Sequence, residues 1–195
     1  MTEGFQTVLV ASERERRDLF LTTANRLGTA EQNAEKDFWV CWTLDALFND
    51  LVAGGSRLLF KGGTSLSKGY GLIERFSEDI DITVFRDDIG QHATVEELEE
   101  LSGKKRNARL DAIRGACQEY IRGPLREQME AILRRALDAA RLPANRGRVE
   151  LDADDPDGQS LLLWYPTVTA AGNDYIRRAI KIESGANLRS ILMLR

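Results

Sequence analysis

Lys61-Gly62-Gly63-Thr64-Ser65, followed after a short interval by Ser77-Glu78-Asp79-Ile80-Asp81-Ile82, is the stretch on which the reading of this chain turns. Residues two apart on a strand point to the same face. Asp79 and Asp81 therefore lie side by side while Ile80 and Ile82 turn into a core, and the strand pattern runs on to Phe85. Two adjacent carboxylates repel each other, and a divalent cation removes that cost. Mg²⁺ suits carboxylate oxygens together with substrate phosphates. A pair of such ions can clamp both oxygens of an in-line displacement.

Immediately upstream, Arg57-Leu58-Leu59-Phe60 reads as a short strand and Thr64 to Tyr70 as a short helix. Between them, Gly62 and Gly63 let backbone approach a ligand closely. The Thr64 and Ser65 hydroxyls, with the N–H groups of the helix start, can donate to a triphosphate. Lys61 or Lys68 adds positive charge. The order is not that of a P-loop, in which Gly-Lys-Ser/Thr closes a longer loop. Each half has a plainer explanation: Gly-Gly is an ordinary turn, and Asp-x-Asp on a strand guards an exposed edge. Together, in strand–turn–helix–strand order, they are much harder to explain by structure alone.

Working outward toward the N-terminus, Ser12 and Glu15 form a capping box that opens a helix running to Leu27, with Gly28 as its stop. Glu31 to Phe48 is apolar almost all round, the mark of a helix buried on most sides. Gly54-Gly55 breaks it. Toward the C-terminus, Leu110, Ile113, Cys117, Tyr120 and Ile121 make one helical stripe, and Gly123-Pro124 interrupts it. Leu125, Met129, Ile132, Leu133, Ala136, Leu137 and Ala140 make a second, closed by Pro143. Val149-Glu150-Leu151 and Leu161 to Tyr165 suggest a hairpin across the turn Asp154 to Gly158. Tyr175 to Glu183 is a further strand. Asp152 to Gly158 imitates a calcium loop, but its glycine falls out of register, so it reads as a turn.

The expected fold is α/β (α+β): a mixed sheet with flanking helices and a helical insertion, in one domain over 1–195. Its parts are a helical N-terminal segment (1–55), the motif region (57–86), a helical middle (95–142) and a β-rich end (148–186). At 195 residues, 43% of them hydrophobic, the chain can build a real core. The net charge of −4 argues against a general nucleic-acid coat protein. Lys104, Lys105, Arg106, Arg109 and Arg114 cluster, as do Arg141, Arg146 and Arg148; each group is either a solvated face or a local surface for a polyanion. His92 is the only histidine, which sets aside a Ser-His-Asp triad and a multi-histidine metal site. Cys41 and Cys117 fall in apolar helical patterns and read as reduced core residues. No stretch approaches a membrane span and the start lacks a signal-peptide pattern, so a cytoplasmic protein is expected.

Gly62-Gly63-Thr64-Ser65 followed by Asp79-Ile80-Asp81-Ile82 is similar to the signature of DNA polymerase β-like nucleotidyltransferases. More closely, Lys61 to Ile82 resembles the AbiEii/AbiGii family, the nucleotidyltransferase toxins of type IV toxin–antitoxin systems. Glu35 to Val40 and Ala179 to Ala186 resemble further segments of that family, so the likeness covers roughly residues 30 to 186. It implies that Gly62, Gly63, Thr64 and Ser65 hold a nucleoside triphosphate, beside the charge read for Lys61 and Lys68, and that Asp79 and Asp81 bind Mg²⁺. Glu183 falls where the wider superfamily often has a third catalytic carboxylate; it also reads as a paired strand residue.

Family members usually continue into a helical domain with a Glu-Lys helix motif and an Arg-Asp-x-x-Asp motif. Asn187 to Arg195 does not read as that continuation. The expectation is therefore a C-terminally truncated core, or one whose reading frame is altered there, that self-associates through the face beside Glu183. Three functions compete. The first is NMP transfer from an NTP to RNA (the tRNA 3′ end) or a protein side chain, with a cognate antitoxin as partner. The others are a catalytically weak nucleotide- or antitoxin-binding protein and an antibiotic-modifying nucleotidyltransferase.

Overall fold

A computed structural model of the chain describes residues 2–69, 79–170 and 177–185. Helix α1 (Glu3–Val10) comes first, with no side-chain cap of its own. It is tied to the end of a later helix instead, where Asp45 accepts from the Thr2 N–H at 3.0 Å and from its hydroxyl at 2.9 Å. Helix α2 (Glu13–Leu27) carries the expected capping box: the Ser12 N–H donates to Glu15 at 2.9 Å and the Glu15 N–H to Ser12 Oγ at 3.3 Å. Gly28 ends it in the left-handed region at φ 66°. Helix α3 (Glu31–Asp45) continues as a wider turn over Ala46–Asp50. Trp39, Val40, Trp42, Ala46 and Leu47 are all buried there.

Strand β1 (Leu58–Lys61) turns through the short helical segment α4 (Gly62–Thr64) into a wider turn, Ser65–Gly69. Tyr70, Ser77 and Glu78 lie outside the described residues. Strand β2 (Asp79–Val84) follows, then helix α5 (Val95–Glu100), helix α6 (Gly103–Tyr120) and helix α7 (Arg126–Ala139). Gly123-Pro124 does not interrupt the last two. The segment Ile121–Leu125 widens to a π-helical turn, and Tyr120, Ile121, Leu125 and Arg126 all keep right-handed helical angles. A proline lacks the N–H that the regular ladder needs, and a local π-bulge accommodates that loss while the axis carries on.

Strands β3 (Arg148–Leu151) and β4 (Ser160–Trp164) form the expected hairpin, and β5 (Ala179–Ser184) completes a five-stranded sheet in the order β1-β2-β5-β4-β3. Strands β2 and β5 are parallel and the other pairs antiparallel. The strand proposed from Tyr175 thus begins at Ala179, with Tyr175 itself outside the described residues. Ile80, Ile82, Val84, Leu161, Leu163, Ile180 and Ile182 form one sheet face and join the helices in a single core with Cys117, Ile121, Leu125, Met129 and Leu133. The alternate residues of β2 and β5 fall on the opposite face, and it is that face which carries charge. Both cysteines are free, and burial raises the Cys41 thiol above its ordinary value.

Candidate active site

Strand register brings the charged residues together. Asp81 is the Cα partner of Lys61 on one side and of Glu183 on the other, and Asp79 is the partner of Lys181. Partners in register share a face, so Lys61, Asp79, Asp81, Lys181 and Glu183 form one patch across three strands. Asp79 is exposed and Asp81 half-buried. Burial raises the Asp81 carboxyl above its ordinary value, and the neighbouring Glu183 carboxylate raises it further, while Lys61 pulls the other way.

The glycine turn closes one side of this patch. Gly62 has φ +73°, and a Cβ built on it would meet Oδ2 of Asp81 at 1.9 Å. Only a residue without a side chain lets the chain turn there and the carboxylate rest on it. The turn is locked from beneath: Ser65 Oγ donates to the Gly62 carbonyl at 2.8 Å, and the buried Thr64 hydroxyl donates to the carbonyl of Asp79. Both hydroxyl protons are thus directed inward, and the turn presents Lys61 and the peptide groups around exposed Gly62 outward. Gly63 is the middle residue of α4. Lys68 pairs with Asp37 of α3 and ties the turn to the helical layer.

The opposite side is closed by a network absent from the sequence reading. Lys181 Nζ lies 2.6 Å from Glu183 Oε1 and 3.5 Å from Asp152 Oδ2. Asp152 follows β3, its side chain is only 4% exposed, and it also takes Arg177 at 3.4 Å. Arg177 in turn reaches Asp154 at 2.8 Å. Alternation along β5 signals that Lys181 shares a face with Glu183. Nothing local signals Asp152, whose sequence neighbourhood marks only a turn. The turn is real, with the Asp155 N–H donating to the Asp152 carbonyl at 3.2 Å and the Gly158 N–H to Asp155 at 3.1 Å.

A hard divalent cation prefers carboxylate oxygens, and Asp79, Asp81 and Glu183 supply them on neighbouring strands of one face. The residue types fit such an ion, and bare Gly62 makes room for one of the carboxylates, that of Asp81. Their side chains do not yet converge: among the described residues no group of three His, Cys, Asp or Glu is arranged to hold a metal. Asp81 rests on Gly62, and Glu183 is drawn aside by Lys181.

The basic clusters are used largely within the fold. Arg106 donates to the carbonyls of Leu98, Glu99 and Leu101 at 3.0 to 3.3 Å, capping the end of α5. Arg109 donates to Gln91 and to the His92 carbonyl, both at 2.7 Å. Arg114 pairs with Asp111, Arg146 with Glu13 and Arg148 with Glu150. A cleft of about 690 Å³ lined by Ser56, Asp88, Tyr120 and Gln128 lies at the other end of β1 and β2 from the carboxylates.

The family model described as nucleotidyl transferase AbiEii toxin, type IV TA system, matches residues 45–189. The chain belongs to this family. The matched AbiEii region contains the glycine turn, both aspartates and all five strands. No curated protein and no solved structure gave a match. Among the described residues no helix is long and apolar enough to cross a membrane.

Proposed function

We propose that the chain transfers a nucleoside monophosphate from an NTP to an acceptor hydroxyl, and that the face bearing Asp79, Asp81 and Glu183 is where it does so. The observation that carries this reading is the position of Asp81. It lies between Lys61 and Glu183 in strand register, with its carboxylate resting on the bare Cα of Gly62. Asp79 and Asp81 are the residues that would hold Mg²⁺, with Glu183 as the third carboxylate. Bound there, the ion would offset the charge that builds on the departing pyrophosphate.

The chain's own part is positioning and charge. Gly62 makes room for the Asp81 carboxylate, with Gly63 beside it in the turn; Thr64 holds the turn against β2 and Ser65 braces it from within. Lys61 supplies positive charge at the turn, and Lys68, paired with Asp37, would do so by exchanging that partner for a phosphate. The acceptor oxygen forms a bond to the α-phosphorus while the bond from that phosphorus to the bridging oxygen breaks. Pyrophosphate leaves, and the acceptor proton passes to the carboxylate face or to water. RNA is the acceptor class to test first, beginning with the 3′ end of tRNA, and a cognate antitoxin is the expected partner.

Each labelled NTP, incubated with Mg²⁺ and total tRNA, tests this directly. Label should pass to tRNA from at least one NTP and should not do so with Asp79→Asn. Transfer that survives Asp79→Asn would remove the site from the proposal, and no transfer from any NTP would remove the tRNA acceptor.

A further inference from the structure

We infer that Asp152 is a positioning residue for the carboxylate face: it offers Lys181 a second partner, so that Glu183 can leave the lysine and join Asp79 and Asp81. This rests on the reading of that face as a cation and nucleotide site. It adds a residue from another part of the fold.

The argument begins with an excess of partners. Lys181 has one ammonium and two carboxylates within reach, Glu183 at 2.6 Å and Asp152 at 3.5 Å. Lys181 is 30% and Glu183 43% exposed, whereas the Asp152 side chain is 4% exposed. A buried carboxylate is costly unless it is paired and hydrogen-bonded. Asp152 meets that condition without the lysine, since Oδ1 accepts from Arg177 at 3.4 Å and from the Asp154 N–H at 3.2 Å. Its other oxygen, Oδ2, is the one turned toward Lys181. Glu183, by contrast, is the register partner of Asp81 and belongs with it on one face.

The ammonium therefore has two positions. Toward Glu183, it neutralises a carboxylate that would otherwise repel Asp81. Toward Asp152, it leaves Glu183 available and stays paired itself. Exchange needs only a rotation of the flexible four-carbon stem of lysine. Without Asp152 the second position is lost, and any cation approaching the face competes with Lys181 for Glu183 directly.

Mn²⁺ alone is the probe, with binding followed by electron paramagnetic resonance in wild type, Asp152→Asn, Lys181→Met and the double variant. Asp152→Asn should weaken Mn²⁺ binding about two- to five-fold, the scale of one partly exposed ion pair. Lys181→Met should tighten it, and adding Asp152→Asn to Lys181→Met should change nothing further. An equal loss from Asp152→Asn in the Lys181 and Met backgrounds, or no loss in either, overturns the inference. So does weaker or unchanged Mn²⁺ binding in Lys181→Met, a measurement that holds even where Asp152→Asn does not fold. Asp79→Asn separates the two levels. If it leaves Mn²⁺ binding intact, the site itself is wrong; if it abolishes binding while Asp152→Asn has no effect, only the role of Asp152 fails.

Discussion

The carboxylate of Asp81 rests on the bare Cα of Gly62, so closely that a Cβ there would stand 1.9 Å from Oδ2. Gly28 shares the left-handed backbone, at φ +66° against +73°, yet a Cβ on Gly28 would meet nothing within 4 Å. The pair separates backbone strain from the loss of a site. Gly28→Ala should cost roughly 1–2 kcal/mol in urea unfolding, the price of a left-handed alanine, and should leave NTP binding unchanged. Gly62→Ala should carry the same strain and also push Asp81 aside, abolishing metal-dependent NTP binding. Equal NTP affinity in Gly62→Ala and wild type would mean that the glycine serves only the turn.

Asp79 offers a cleaner cut. It is exposed, asparagine matches its shape, and the hydroxyl of Thr64 bonds its main-chain oxygen, which the substitution retains. Asp79→Asn should therefore melt within about 2–4 °C of wild type, the shift expected for roughly 1 kcal/mol. Its NTP affinity in Mg²⁺ should fall about tenfold or more, a range that even outer-shell partners of a metal reach. Calorimetric titration with and without Mg²⁺ decides the matter, and an unchanged affinity in both conditions counts against Asp79 as a ligand.

The motif, the two aspartates and the sheet alternation were legible in the sequence because each is local. Ile80 and Ile82 alternate with Asp79 and Asp81 whatever else the chain does, and Ser12 with Glu15 announces a helix within four residues. What escaped was set by tertiary contact. Helix α1 has no side-chain cap to announce it, and its start is held by Asp45, a residue on α3. Pro124 looked like a break because sequence cannot show that a π-turn will absorb it. Asp152 looked like a turn residue because its partners, Arg177 and Lys181, arrive from β5 and its approach. Arg106 and Arg109 looked like an open basic surface because their acceptors are carbonyl and amide oxygens on neighbouring segments.

Arg57 and Asp88 give a pH signature well away from the carboxylate face. Arg57 meets Asp88 with Nε and its own backbone N–H at 2.8 Å each and with Nη2 at 3.0 Å, joining the start of β1 to the turn after β2. The side-chain hydrogen bonds of Arg57, then its backbone one, hold the Asp88 carboxyl below its ordinary value, while burial opposes them weakly. The unfolded chain then binds the proton more readily than the native one, so this contribution is full above the unfolded value, about 3.9. It disappears as pH falls through the lowered native value. In urea unfolding, Asp88→Asn should be less stable than wild type near pH 7, and the gap should close as pH falls below about 4. A gap that widens on acidification would contradict the assigned direction.

Glu35 is where helix α3 anchors the chain that follows β4. Its side chain is almost wholly buried, at 1% exposure. It accepts from the Val168 N–H at 2.6 Å, the Thr167 hydroxyl at 2.6 Å, the Thr169 N–H at 3.4 Å and the Thr169 hydroxyl. The next two residues on the same helix reach elsewhere: Lys36 donates to the Arg177 carbonyl at 3.0 Å, and Asp37 pairs with Lys68 beside the glycine turn. Three successive charges thus fasten three separate segments around the site, which accounts for charged residues in so apolar a helix. Glu35→Ala would strand several donors in a dry environment, each unsatisfied one costing about 1–3 kcal/mol. The expected loss is about 3–5 kcal/mol, the range for breaking a buried charged partner. Glu35→Gln keeps the shape but turns an amide N–H₂ toward donors, so it should recover only part of that loss. A thermal shift below about 2 °C for Glu35→Ala, where roughly 2–4 °C per kcal/mol is expected, would show that the 167–169 segment holds without its anchor.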